Sequence, residues 1–307
     1  MKILSVNISE KTGTVKHPVD KIILTDRGVQ GDAHSGTWHR QVSLLGRESI
    51  TKFSVMANRK IRSGEFAENL TVEGITLYES LPFDRFIGAT AELEVTQIGK
   101  KCHGDTCAIF REVGNCVMPK EGIFCRVIKP GELKPGDELE YVPYQYKVKI
   151  ITLSDRASTG EYEDRSGPLV RQLLESFFNG YRRRYRIENR IIPDEAEMLG
   201  AELSSAVKNG ADFIFTTGGT GVGERDITPG IVRRMLDKEI PGIMELIRVK
   251  YGMEKPNALI SRSIAGIIGK TQIYVLPGSV KAVNEYMSEI IKTMEHLSLM
   301  LNGIDAH

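Results

Sequence analysis

The chain has almost no net charge: 41 lysines and arginines stand against 40 aspartates and glutamates. Such a balance creates no bulk field to gather nucleic acid. No apolar run reaches the length needed to span a bilayer. Met1-Lys2-Ile3-Leu4-Ser5-Val6 reads as a strand and lacks the apolar core and cleavage site of a signal peptide. The expected location is the cytoplasm, and neither nucleic acid nor membrane is an expected partner. The four cysteines are then expected as thiols. No Cys-x-x-Cys pair occurs, so the spacing gives little support for a structural zinc site. No cysteine lies beyond Cys125. That asymmetry, with a length of 307 residues, points to two domains of different chemistry.

In the first half, short strand patterns alternate with glycine and proline turns, as in Lys21–Leu24, Val42–Leu45, Ala91–Thr96 and Gly122–Ile128. The helical pattern is confined to about 47–53. Many short strands predict a β-barrel or sandwich over residues 1–143. Cys102 stands among Lys100, Lys101 and His103. Positive neighbours favour a thiolate, which can hold a persulfide or ligate a soft metal; a small buried thiol is the alternative. Cys125 lies in a strand pattern and is expected in the core. His34 and His39 flank a glycine turn, either solvated or lining a pocket.

Pro143 interrupts the strand pattern, and a new strand begins near Lys147. From 146 to 307 the period changes. Strands alternate with helices, which predicts a three-layer α/β domain with a mostly parallel sheet. Ligands in such sheets sit beyond the carboxyl ends of the strands. Asp155, Asp194 and Asp226 fall at or just after three successive strand ends. Asp194 also fits a helix cap with Glu197. Carboxylates so grouped can hold Mg²⁺ together with substrate phosphates. The third strand leads into Thr217-Gly218-Gly219-Thr220-Gly221-Val222-Gly223-Glu224-Arg225-Asp226, and Thr228-Pro229 reads as an N-cap with proline at the first helical position. Glycine backbone amides and a helix N-terminus suit an anion. The loop lacks the Gly-Lys-Ser/Thr of a Walker A motif and the spacing of a dinucleotide fingerprint. Arg182-Arg183-Arg184 reads as a solvated strand edge.

Gly31-Asp32-Ala33-His34-Ser35-Gly36, Gly64–Thr71 and the Glu94-Val95-Thr96-Gln97 strand before Cys102 together resemble a MOSC domain. That resemblance implies a β-barrel that binds a molybdenum cofactor or carries sulfur on Cys102. The glycine loop, Ser154-Asp155-Arg156, Asp164-Arg165-Ser166-Gly167, Ile192-Pro193-Asp194, Ser261-Arg262 and Leu276-Pro277-Gly278-Ser279 resemble the MogA/MoaB family. The resemblance implies Mg²⁺- and ATP-dependent adenylylation of molybdopterin, with pyrophosphate as the second product. It implies Asp194 and Asp226 as catalytic metal ligands. Cofactor contacts would come from Ser154, Asp155, Gly218, Gly219, Thr220, Gly221, Arg225, Ser261, Arg262, Pro277, Gly278 and Ser279. A trimer and a molybdate-inserting partner enzyme are also implied. A non-catalytic cofactor carrier is the alternative.

Overall fold

The computed structural model describes residues 1–100 and 116–304. The chain divides into two compact units, Met1–Tyr144 and Gln145–His307.

The first unit is rich in short strands: β1 (Lys2–Ile8), β2 (His17–Val19), β3 (Ile22–Thr25), β4 (Gly28–Val29), β5 (Val42–Gly46), β6 (Leu70–Glu73), β7 (Arg85–Ile87), β8 (Glu92–Ile98), β9 (Ile123–Lys129), β10 (Gly131–Leu133) and β11 (Glu140–Val142). Two helices join them, α1 (Arg47–Met56) and α2 (Met118–Glu121). Eight strands form one sheet in the order β11-β7-β8-β9-β5-β6-β1-β2, and β10-β3-β4 form another. Ile3, Val6, Leu44, Leu70, Phe86, Leu93 and Cys125 share one fully buried core. Burying side chains of this size contributes about 1.5–3 kcal/mol each.

Among the described residues no closed barrel is shown. Backbone hydrogen bonds nonetheless join Met1 and Ile3 to Gly136, Asp137 and Leu139, around a bridge from Lys2 to Glu138, and curl the sheet toward the segment before β11. They bypass β2, and among the described residues β2 and β11 remain the two ends of the sheet.

The second unit runs β12 (Gln145–Leu153), α3 (Asp155–Ser158), α4 (Ser166–Gly180), β13 (Arg184–Ile192), α5 (Ala196–Lys208), β14 (Phe213–Thr217), α6 (Thr228–Met235), β15 (Lys238–Glu239), α7 (Pro241–Gly252), β16 (Ala265–Ile268), β17 (Thr271–Leu276) and α8 (Val280–Leu301). The sheet order is β13-β12-β14-β17-β16-β15. The first four strands are parallel and the last two antiparallel. Alternation along the strands builds two apolar faces. Ile151, Leu153, Ile214 and Val275 meet Leu199 and Leu203 of α5 and Val232 of α6. On the other face Tyr146 lies against Phe178 of α4 and Phe213, with ring centroids 5.4 and 5.2 Å away. There Gln272 donates to Ser298 of α8 at 2.8 Å. The result is three layers. The chain leaves β12 toward α4 and reaches β14 from α5, so the crevice at their carboxyl ends is a topological switch point.

Three local expectations are corrected. Arg183 is not solvated: it is 6% exposed and pairs with Glu295 of α8. The helix after β13 starts at Ala196, with Glu195 at the cap position and no side-chain cap. Asp194 is therefore no cap. The helix after the glycine loop likewise has Ile227 at its cap position. Thr228 instead donates its hydroxyl to Gly218 O at 3.0 Å.

Candidate functional site

Four parallel strands end at one crevice. β12 ends in Thr152-Leu153 and passes into Ser154, whose hydroxyl accepts from Ala157 N at 3.2 Å and caps α3. This places Asp155 at the mouth, where one carboxylate oxygen accepts from Asp194 N at 2.8 Å. The other pairs with Arg225 from the glycine loop. Asp155 thus spans two strand ends, β12 and β13, and draws the loop after β14 toward them. The Arg225 side chain is 75% exposed, so this pair is weak and the guanidinium is free to exchange onto an incoming anion.

The loop after β14 is built by close approach. Gly218 has φ +99°, and a Cβ there would lie 2.4 Å from Leu153 O. Its amide donates to Leu276 O at 3.0 Å, which ties β14 to β17. Gly221 lies under the Asp226 carboxylate, where a Cβ would sit 2.6 Å from an oxygen. That same oxygen accepts from Gly223 N at 2.9 Å. Among the described residues nothing accepts from the amides of Gly219, Thr220 or Gly221. Such a run of open amides is what an anion requires.

Arg262 was expected to touch the cofactor. In this structure it braces the loop: its amide donates to Thr220 O at 2.9 Å and its Nε to Gly221 O at 2.6 Å, and its guanidinium also reaches Asp226 O. Ser261, Pro277 and Ser279 line a cavity of about 350 Å³ beside the loop, together with Thr220 and Gly221. Ser279 accepts from Ala282 N at 3.3 Å, so it also caps α8. Gly278 packs against Gly218, which brings the two glycine turns together.

Asp194 and Asp226 face each other electrostatically. Burial first, and then the Asp226 charge, raise the pKa of Asp194 above its ordinary value. Among the described residues no group of three or more His, Cys, Asp or Glu forms a metal cage.

Sequence reasoning names Asp164-Arg165-Ser166-Gly167 but gives it no role; in the structure it forms the floor of the site. One oxygen of Asp164 accepts from Ser166 N, Ser166 Oγ and Gly167 N at 2.9, 2.8 and 3.1 Å. The other accepts from Thr152 Oγ1 at 2.7 Å. Thr152 and Ser166 both reach Thr217, at 3.3 and 2.9 Å. Thr217 is the residue before Gly218, so one carboxylate holds α4, β12 and the root of the loop. An aspartate ahead of Ser-Gly at a helix start was the available signal. Also missed were Lys255, Lys281 and Tyr286, which line the cavity. Tyr286 is 3% exposed and its hydroxyl has no hydrogen-bond partner. These residues lie far from the loop in sequence, and only the fold of α8 brings Lys281 and Tyr286 to it. Cys102, His103 and Cys107 lie outside the described residues. Cys125 is buried, and burial pushes its thiol pKa up.

A family model described as a probable molybdopterin binding domain matches residues 149–296. The molybdopterin adenylyltransferase of Pyrococcus furiosus is 39% identical over 156 residues, spanning 88% of that protein and 49% of this chain.

The chain belongs to the molybdopterin-binding family.

The family's shared region is the second unit. The Escherichia coli molybdopterin adenylyltransferase is 32% identical over 161 residues, spanning 80% of that protein and 52% of this chain. The Drosophila melanogaster molybdenum cofactor synthesis protein cinnamon is 36% identical over 149 residues. The chain covers only 24% of that longer protein. A second model, the MOSC domain, matches residues 31–140. This molybdopterin-binding protein therefore joins a MOSC domain to its family domain.

Proposed function

We propose that the second unit is a molybdopterin adenylyltransferase, which transfers the adenylyl group of ATP to molybdopterin and releases pyrophosphate. The observation that carries this reading is the crevice in which open loop amides, two unpaired-off carboxylates and an exchangeable arginine meet beyond four parallel strand ends. That arrangement serves phosphoryl chemistry, in which positioning and charge neutralisation dominate.

Asp194 and Asp226 fit a magnesium ion. Their charges repel, and Mg²⁺ is held by one or two carboxylates plus substrate phosphates. Bound there, the ion would neutralise charge on the α-phosphate. Asp155 fixes Asp194 through its backbone amide and holds Arg225 near until an anion competes for it. The Gly219, Thr220 and Gly221 amides hold an anionic group of the pterin or nucleotide. Lys255, Lys281 and the Tyr286 hydroxyl offer further donors along the cavity wall.

For the first unit we infer handling of the same cofactor, by binding it or by carrying sulfur on Cys102. Tethering then raises the local concentration of a labile pterin. Homo-oligomerisation, as a trimer, belongs to the same proposal; exposed Leu246, Val249, Met253, Leu259 and Ile260 on and after α7 support it. The test of function is direct. Full-length protein given molybdopterin and Mg-ATP should form adenylylated pterin and pyrophosphate in equal amounts. Pterin binding without pyrophosphate would assign a carrier role.

A further inference from the structure

The first unit holds a cavity of about 230 Å³, lined by His34, Trp38, Arg40, Ser43, Asn69 and Lys100 among others. Its charge is unbalanced. The Arg40 guanidinium lies 4.6 Å from the Trp38 ring centroid, and its Nε is buried with no hydrogen-bond partner. The Lys100 ammonium lies 5.9 Å from the Phe124 ring centroid. Neither cation has a carboxylate partner among the described residues. A buried guanidinium N–H without an acceptor costs free energy, and a ligand that accepts there removes the cost.

The acids near the cavity among the described residues are engaged elsewhere. Asp32 is paired with Lys16, each side chain only 1% exposed. It also accepts from Ser9 N, His34 N and Asn69 Nδ2 at 3.0, 2.9 and 3.2 Å. His34 Nδ1 lies 3.3 Å from both Lys16 Nζ and Asp32 Oδ1, so the pair fixes the ring at the cavity wall. Glu68 is fully buried, and its Oε1 accepts from Gly64 N and Thr71 Oγ1 at 2.7 and 2.8 Å. Burial favours its neutral form. Ser43 and Asn69 use their polar atoms on each other and on the backbone. Among the described residues two positive charges therefore remain for the cavity, one of them stacked on an aromatic ring.

We propose that this cavity binds a small tetrahedral oxyanion, the class of sulfate, hydrogen phosphate and molybdate, through Arg40 and Lys100. The dianionic charge matches the two cations, and oxygens on several sides meet the guanidinium fork, the ammonium and His34. The site is separate from the reaction proposed for the second unit, and its test uses neither pterin nor nucleotide.

The reporter is built in. Trp38 is the chain's single tryptophan, and its ring carries the Arg40 guanidinium. Full-length protein is titrated with sodium sulfate, phosphate or molybdate against chloride at matched ionic strength, with Trp38 emission as the readout. A saturable change with at least one of the three is expected, and the order among them names the source. Calorimetry repeats the titration on Arg40→Gln and Lys100→Gln variants whose melting is retained. Each should bind roughly tenfold or more weakly, as loss of a charge-assisted contact requires. Lys134→Gln, at an exposed lysine of the same unit outside the cavity, should bind unchanged. The proposal is overturned if no anion gives saturable binding up to roughly 10 mM. It is equally overturned if Arg40→Gln and Lys100→Gln, both folded, bind like the wild type, or if Lys134→Gln abolishes the signal.

Discussion

Replacing Asp164 by alanine removes the group that joins α4, β12 and the root of the glycine loop. The carboxylate accepts from two amides at the start of α4, from Ser166 Oγ and from Thr152 Oγ1. Loss of the amide contacts resembles loss of a helix cap, about 1 kcal/mol. Thr152 and Ser166 are each 5% exposed, and leaving such hydroxyls short of a partner costs about 1–3 kcal/mol. The sum is about 2–4 kcal/mol. In a unit of this size each kcal/mol moves Tm by about 2–4 °C, so the second unit should melt roughly 5–15 °C earlier. Two probes separate the units: Trp38 lies in the first, while the long helices α4, α5 and α8 that dominate far-ultraviolet circular dichroism lie in the second. The dichroism transition should fall and the Trp38 transition should stay. Asp164→Asn keeps an acceptor toward α4 and should lose about half as much. A shift worth less than about 1 kcal/mol would refute the assignment of Asp164 as the site's support. A Trp38 transition that falls equally would refute independent folding of the units.

Gly221→Ala places a Cβ 2.6 Å from the Asp226 carboxylate. The movable side chain can shift, so melting should hardly change while turnover falls roughly tenfold or more; unchanged turnover contradicts the placement of Asp226. Tyr286→Phe removes a buried, unpartnered hydroxyl. Stability should hold or rise by about 1 kcal/mol, while pterin or nucleotide affinity falls; unaltered affinity for both removes Tyr286 from the ligand's contacts. Burial raises the Glu68 pKa above its ordinary 4.5, so the native state holds this proton more tightly than the unfolded chain. Wild-type stability from this group is present at low pH and is lost as pH rises from about 4.5 through the raised native value. Glu68→Gln should therefore gain on the wild type across that rise, with denaturant unfolding followed at Trp38; a difference that is flat or of opposite sign contradicts a protonated Glu68.

Much of the second unit could be read in advance because its signals are local. The apolar run ending in Thr217, the glycines that follow and the helical spacing of Leu174 and Phe178 each act within one element. The first unit was harder to read. Its shortest described strand, β4, has two residues, as does β15 of the second unit, and partners rather than propensity define such strands. Whether the sheet closes depends on which edges meet, and no residue of β2 or β11 announces that. Site chemistry divides the same way. Asp194 looked like a cap because Asp and Glu three residues apart usually mean one; the helix begins a residue later than that box requires, so its carboxylate is released to the crevice. Arg262 also braces the loop by donating to its carbonyls, a contact that spans some forty residues of sequence. Arg183 sits in a basic run but meets Glu295, more than a hundred residues away. Such long-range partners have no local trace.

The most direct test of the adenylyltransferase account is pyrophosphate release by Asp226→Asn beside the wild type, with molybdopterin binding measured on the same samples. The substitution keeps shape and removes one of the two charges that would hold the metal. Pterin binding should survive, because backbone amides lose nothing. Turnover should fall roughly a hundredfold or more, as for a preorganised electrostatic group. Asp194→Asn should match it, and the double variant should be little worse, since both serve one metal. Normal turnover in Asp226→Asn with molybdopterin and Mg-ATP would contradict the account.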